Sequence, residues 1–152
     1  MLINESNADE PGVVALLERH WTFAAERSPA ECVHALDLDG LGRANVTLWT
    51  VDEGGGPVGC VALQELDAAH GEIKSMHVVQ EARGRGLGEK LLRHVIDEAR
   101  RRGYARLSLE TGNAEAFEPA RRLYQRFGFV ECPPFAGYAD HWFSLCMTME
   151  LG

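Results

Sequence analysis

The run Val79-Gln80-Glu81-Ala82-Arg83-Gly84-Arg85-Gly86-Leu87-Gly88 constrains this chain more tightly than any other part of it. Before it, Glu72–Val79 alternates like a strand, with Glu72, Lys74, Met76 and Val78 on one face and Ile73, Ser75, His77 and Val79 on the other. After it, Leu87, Leu91, Leu92, Val95, Ile96 and Ala99 form an apolar stripe at helical spacing, and Gly103 supplies a stop. Glycines at alternate positions between a strand and a helix let the backbone turn tightly and leave N–H groups uncovered. Those groups and the positive end of the helix dipole make an anion site, most naturally for a phosphate or pyrophosphate. Arg83 and Arg85 add charge beside it.

Two familiar phosphate loops fit this run poorly. A P-loop requires a Gly-Lys pair followed by Ser or Thr, but here Lys90 follows Glu89 and precedes Leu91. The dinucleotide fingerprint requires G-x-G-x-x-G, and Glu89 stands where the third glycine belongs. Glu110 does lie at about the spacing of a ribose-binding acid, so that alternative stays open at this level. So does a glycine turn that holds nothing.

The rest of the chain reads as one domain over residues 1–152, with no repeat and no linker. Leu2–Asn4 is extended, and Asp9 with Pro11 opens a helix in which Val14, Leu17, Trp21 and Ala25 recur. Ser28-Pro29 ends it and begins a short second helix reaching about Leu38. Val46–Val51 and Val58–Leu66 form a hairpin across the turn residues Asp52–Pro57, and the strand Glu72–Val79 follows. Ala105–Leu109 is a strand, Pro119–Phe127 a helix ending at Gly128, and Phe143–Leu151 a strand that alternates again. Glu131–His141, containing Pro133-Pro134, is a long loop placed to wall a substrate site. Strands in a run, then strands alternating with helices, make an α/β or α+β fold with a mixed sheet and helices on both faces.

Charge and cysteine usage narrow the function classes. The chain carries 15 Lys plus Arg against 23 Asp plus Glu, a net charge of −8, which argues against a whole-surface nucleic-acid binder. Between positions 83 and 106, however, eight basic residues face three acidic ones, a net of +5. Such an island suggests an anionic ligand there; Arg100–Arg102 fit better as complements to a helix C-terminus. The acidic remainder mildly favours a cationic acceptor, such as a polyamine, an amino-acid derivative or an amino sugar. Cys32, Cys60, Cys132 and Cys146 form no C-x-x-C pair, so neither a zinc site nor a disulfide framework is expected. No stretch approaches the roughly 20 apolar residues of a spanning helix, and Met1–Pro11 is acidic and polar, unlike a targeting peptide. No membrane association is expected, and the expected location is cytoplasmic.

Arg-x-x-Gly-x-Gly does fit, read from Arg83 to Gly88. With Leu107-Ser108-Leu109-Glu110 and the run Ala120-Arg121-Arg122-Leu123-Tyr124-Gln125-Arg126-Phe127-Gly128-Phe129, it resembles the GNAT superfamily of N-acetyltransferases over essentially the whole chain. In that superfamily Q/R-x-x-G-x-G/A is the acetyl-CoA pyrophosphate loop, and A-x-x-L-Y-x-x-x-G-F is a signature further downstream. His70–His77, Leu107–Gly112 and Pro119–Phe135 also look like a branch of small bacterial acetyltransferases of unassigned substrate.

The resemblance implies an acyl-CoA N-acyltransferase fold with a central, mostly antiparallel sheet, and acetyl-CoA as cosubstrate with no metal. It implies transfer of an acetyl group to a primary amine of a small molecule, or of a protein or peptide, by direct attack in a ternary complex. The pyrophosphate would rest on the N–H groups of Gly84, Arg85, Gly86, Leu87, Gly88 and Glu89, beside Arg83. The pantetheine arm would bond to main chain around Met76, His77 and Val78. Tyr124 matches the superfamily's general acid, and two positions compete as general base, Glu72 and Glu110. The asparagine that many members use for the pantetheine arm is replaced by Phe117, with Asn113 as its nearby substitute. The superfamily often pairs through its C-terminal strands, so a homodimer is one expected assembly. A different function of the same fold would be a non-catalytic acyl-CoA-binding or sensor module; retention of Tyr124, Glu72 and Glu110 argues against it.

Overall fold

The computed structural model describes residues 2–33 and 36–152, which form a seven-stranded sheet with helices on both faces. In chain order the elements are β1 (Leu2–Ser6), α1 (Pro11–Arg27), α2 (Leu38–Leu41), β2 (Val46–Asp52), β3 (Pro57–Asp67), β4 (His70–Val78), α3 (Leu87–Arg101), β5 (Arg106–Gly112), α4 (Glu118–Arg126), β6 (Val130–Cys132) and β7 (Ser144–Glu150). The spatial order is β1-β2-β3-β4-β5-β7-β6, and every neighbouring pair is antiparallel except β4 with β5. This is the fold of acyl-CoA N-acyltransferases, as expected.

The stripe on α3 behaves as its spacing predicts. Leu87, Leu91, Leu92, Val95, Ile96 and Ala99 are all buried against β3 and β4. A buried leucine or valine contributes roughly 1.5–3 kcal/mol, so this stripe fixes α3 to the sheet and holds its N-terminus in place. On α1 the inward face is Val13, Leu16 and Leu17, followed by His20 and Phe23; Val14 is only half-buried and Ala25 is exposed, so the expected stripe is rotated. The helix expected from Ser28 to Leu38 is instead a single 3-10 turn, Ala30–Cys32, followed by the separate α2. His34 and Ala35, within that expectation, lie outside the described residues. Asp37 caps α2 by accepting the Gly40 amide at 2.8 Å. The loop expected from Glu131 contains β6, a three-residue edge strand on β7 that Pro133-Pro134 terminates.

Two features of β4 shape the molecule's centre. Cys60 pairs with His77 while Ala62 pairs with Lys74, so β4 carries one extra residue across that step. Ser75 sits in this bulge with φ of 52°, a left-handed conformation rare for a residue with a side chain. The bulge reverses the expected alternation: Glu72, Lys74 and His77 share the face covered by α1, whereas Ile73 and Val78 face α3. Parallel pairing with β5 covers only His70↔Arg106, Gly71↔Leu107 and Glu72↔Ser108, after which the two strands part.

Gly112, where β5 ends, is packed without spare room. A Cβ there would lie 2.6 Å from Phe117 Cδ2 and 2.6 Å from Phe143 Cζ. Gly112→Ala is therefore expected to cost about 1–3 kcal/mol and lower Tm by roughly 2–12 °C, as read by calorimetric melting. An unchanged Tm would mean that both rings move aside freely.

Candidate active site

The parting of β4 and β5 opens a cavity of about 500 Å³ that reaches from the glycine turn to the acidic side chains beyond Glu72. At one end, Gly84 and Gly86 hold left-handed φ values of 81° and 79°, and a Cβ on either would meet nothing within 4 Å. Gly86 is also the N-cap of α3, which has no side-chain cap. The first N–H groups of α3 therefore lack the partner that a serine or aspartate cap would provide. Glu89, in that first turn, is bound by Arg93 at 3.0 Å and Arg126 at 3.1 Å, which offsets its charge beside the cradle.

The two loop arginines are placed differently. Arg83 lines the cavity, donating from Nε to the Val78 carbonyl at 2.9 Å with its guanidinium 5.3 Å from the Phe23 ring centre. Arg85 turns to Glu53 of the β2–β3 turn at 2.8 Å and does not line the cavity.

Beyond the glycine turn, Met76, His77 and Val78 form one wall. Tyr124 enters from α4, 7% exposed, with its hydroxyl 3.9 Å from Met76 Sδ. Burial pushes its phenol up to about 12, so it stays protonated at neutral pH. Asn113 instead directs its amide to the Trp142 carbonyl at 3.4 Å, outside the cavity; the substitution expected for Phe117 is not formed there. Phe117 itself lines the cavity.

Two carboxylates stand on the α1 side in unlike settings. Glu72 is 2% exposed, accepts the Tyr138 hydroxyl at 2.5 Å and faces Lys74 Nζ at 3.4 Å. Glu110 accepts the Ser144 hydroxyl at 2.6 Å through one oxygen. Its other oxygen has no hydrogen bond among the described residues. Burial raises both acids above the usual carboxylate value, against Lys74 and Tyr138 for Glu72, and against Ser144 and Lys74 for Glu110.

Three contributors were not singled out as site residues by sequence reasoning. His20 of α1 stacks on His77 at 5.1 Å, and Phe23 on the same ring at 5.7 Å. Among the described residues, Ser75 Oγ and His20 Nδ1 are buried without a hydrogen-bond partner, and both residues line the cavity. His20 follows Leu16 and Leu17 at helical spacing, a signal readable only once the phase of α1 is known.

Glu31, Cys32 and His141 also cluster, with ligand atoms within 4.8 Å of one another. His141 Nδ1 accepts the Phe143 N–H at 3.1 Å and its Nε2 faces Glu31 at 3.8 Å, so both ring nitrogens already meet protein groups.

A strand–glycine turn–helix cradle, a parted parallel pair and an inward tyrosine define an acyl-CoA-dependent transferase. The acetyltransferase (GNAT) family profile matches residues 12–129, and the chain belongs to that family. The Bacillus subtilis (strain 168) protein named uncharacterized N-acetyltransferase YsnE is 47% identical over 139 residues, covering 91% of this chain and 92% of that protein. A solved Klebsiella pneumoniae structure, provisionally classed as an acyl-CoA N-acyltransferase, aligns with a TM-score of 0.84 and 28% identity over 99% of this chain and 97% of that one. A GNAT acetyltransferase from Elizabethkingia anophelis, solved with acetyl-CoA bound, aligns at 0.71 and 23% identity over 98% and 97%. The chain is an acyltransferase of the N-acetyltransferase type, and the family's cosubstrate is acetyl-CoA. No described helix is long and apolar enough to cross a membrane.

Proposed function

We propose that the chain transfers an acetyl group from acetyl-CoA to a primary amine of a small molecule by direct attack in a ternary complex. One observation carries this reading: a single cavity joins the uncapped N-terminus of α3 to Glu72 and Glu110 through the gap between β4 and β5. The residues present fit the cosubstrate, since Gly84 and Gly86 leave open space over the turn and α3 begins there without a side-chain cap. When bound, acetyl-CoA supplies an acetyl thioester, which a neutral amine can attack. The N–H groups from Gly84 to Glu89 would hold the pyrophosphate, with Arg83 beside them, and main chain at Met76, His77 and Val78 would line the arm.

The amine nitrogen bonds to the acetyl carbon as the carbon–sulfur bond breaks; the nitrogen gives up a proton and the sulfur gains one. Glu110 takes the amine's proton, because its second oxygen has no hydrogen bond among the described residues and its raised pKa makes it a better base than an ordinary carboxylate. Glu72 is engaged by Tyr138 and Lys74, and its part is to position that pair. Tyr124 holds a proton at Oη for the departing sulfur. A main-chain N–H at the end of β4 would stabilise charge on the carbonyl oxygen, a contribution of about 3 kcal/mol for a well-placed donor.

Titration calorimetry with acetyl-CoA and with CoA tests the reading. Micromolar binding of both is expected, weakened at least about tenfold in Gly86→Leu, whose side chain would fill the open space and whose left-handed backbone costs about 1–2 kcal/mol. No binding at high micromolar concentration would overturn the reading. Binding without thiol release for any amine would favour a sensor module.

A further inference from the structure

We infer that the acceptor is a primary monoamine carried on an apolar skeleton, an arylalkylamine or branched alkylamine, and not a polyamine or an amino sugar. This rests on the acetyltransferase reading above. One wall of the cavity, on its α1 side, is an array of rings and aliphatic groups. Phe23 of α1 meets Phe117 edge-to-face at 5.7 Å, and Phe117 meets Phe143 at 5.8 Å. Ala24 and Val33 extend this wall along α1 and the turn after it. None of these side chains can accept or donate a hydrogen bond.

The polar groups on this side are few and mostly committed. Tyr138 Oη bridges Glu72 Oε2 and Lys74 Nζ, each at 2.5 Å, so the acid, the phenol and the ammonium satisfy one another. Glu110 thus supplies a carboxylate oxygen that has no hydrogen bond among the described residues, matched to a single amine. A second ammonium on a polyamine would meet, at the Phe23 ring, the Arg27 and Arg83 guanidiniums already 4.3 and 5.3 Å from its centre, and would be repelled by them. The hydroxyls of a sugar would lose water against phenyl faces that return no hydrogen bond. Burying such groups unpaired costs on the order of 1–3 kcal/mol each, whereas an apolar skeleton gains from the same burial.

The test measures thiol release and calorimetric binding for four amines on the full chain: 2-phenylethylamine, 3-methylbutylamine, spermidine and glucosamine. Binding is read on protein saturated with CoA. The expected kcat/KM for either apolar amine is at least about tenfold above spermidine and glucosamine, with tighter binding in the same order. Val33 is 36% exposed, so Val33→Asp tests the wall without threatening the core. It should raise KM for 2-phenylethylamine by about threefold or more and shift the preference toward spermidine. Preference for spermidine or glucosamine by the unaltered protein would overturn the inference. So would a protein that binds acetyl-CoA and accepts none of the four. Failure to bind acetyl-CoA would instead remove the underlying acetyltransferase reading.

Discussion

Glu110→Gln is expected to lower kcat/KM at pH 7 by about 10²- to 10⁴-fold while acetyl-CoA affinity stays within about twofold, the range for losing a general base. The substitution keeps the volume and an oxygen able to accept from Ser144 Oγ, so the contact that holds the side chain survives. What disappears is the basic oxygen facing the cavity. In the unaltered protein activity should fall with acidity as Glu110 is protonated, at a pH above the ordinary carboxylate range because burial raises it. That acidic limb should be absent from the residual activity of Glu110→Gln. Glu72→Gln should do less to kcat, because Glu72 acts through Tyr138 and Lys74. Retention of a third or more of the kcat in Glu110→Gln would refute the assignment and shift the base to water or to Glu72.

The second large effect concerns acid stability. His20 and His77 are held down to about 4 and about 3, chiefly by burial, with Arg83 and Arg19 adding repulsion at His77. Their unfolded values lie near 6.5, so below that pH the unfolded chain binds protons that the folded chain refuses. Their contribution to stability is complete above about pH 6.5 and is lost as pH falls toward 4 and then 3. By pH 4.5 the two together should cost about 4–6 kcal/mol relative to pH 7. Glu72 and Glu110, raised in the fold, act in the opposite sense and blunt this loss. Urea unfolding at pH 7, 5.5 and 4.5 measures the slope. His20→Leu should flatten it while costing little at pH 7, since the buried His20 Nδ1 has no partner to lose. A stability independent of pH over this interval would mean that the pair opens to water and protonates within the folded state.

What could be read from the chain alone follows from how local each signal is. The turn at Gly84–Gly88 and the stripe of α3 are properties of neighbouring residues, and both hold in the structure. Tyr124, Glu72 and Glu110 were legible as candidates because the motif resemblance marks their positions, and all three line the cavity. The bulge at Ser75 was not visible. It arises from pairing three steps of β4 against two of β3, a register that no local alternation records, and it moves His77 to the opposite face. Asn113 and Arg85 were assigned by proximity along the chain, but their side chains found closer partners in the Trp142 carbonyl and Glu53. The role of Tyr138 depends on where the stretch after Pro134 returns to the sheet, a matter of tertiary packing.

The short contact between β4 and β5 has a further consequence for the sheet as a hydrogen-bonding object. An open sheet has two edges, at which amides and carbonyls go unpaired. Because parallel pairing ends at Glu72 and Ser108, this sheet has two more in its interior, facing each other along the rest of β4 and β5. An interior edge invites any extended chain of amides to complete it, including a strand from another molecule. Here α1 lies over one face while α3 and α4 lie over the other, so a rigid strand cannot slide in from the side. Access is left to thin, flexible chains entering end-on. The gap that admits a ligand thus also protects the molecule from its own kind.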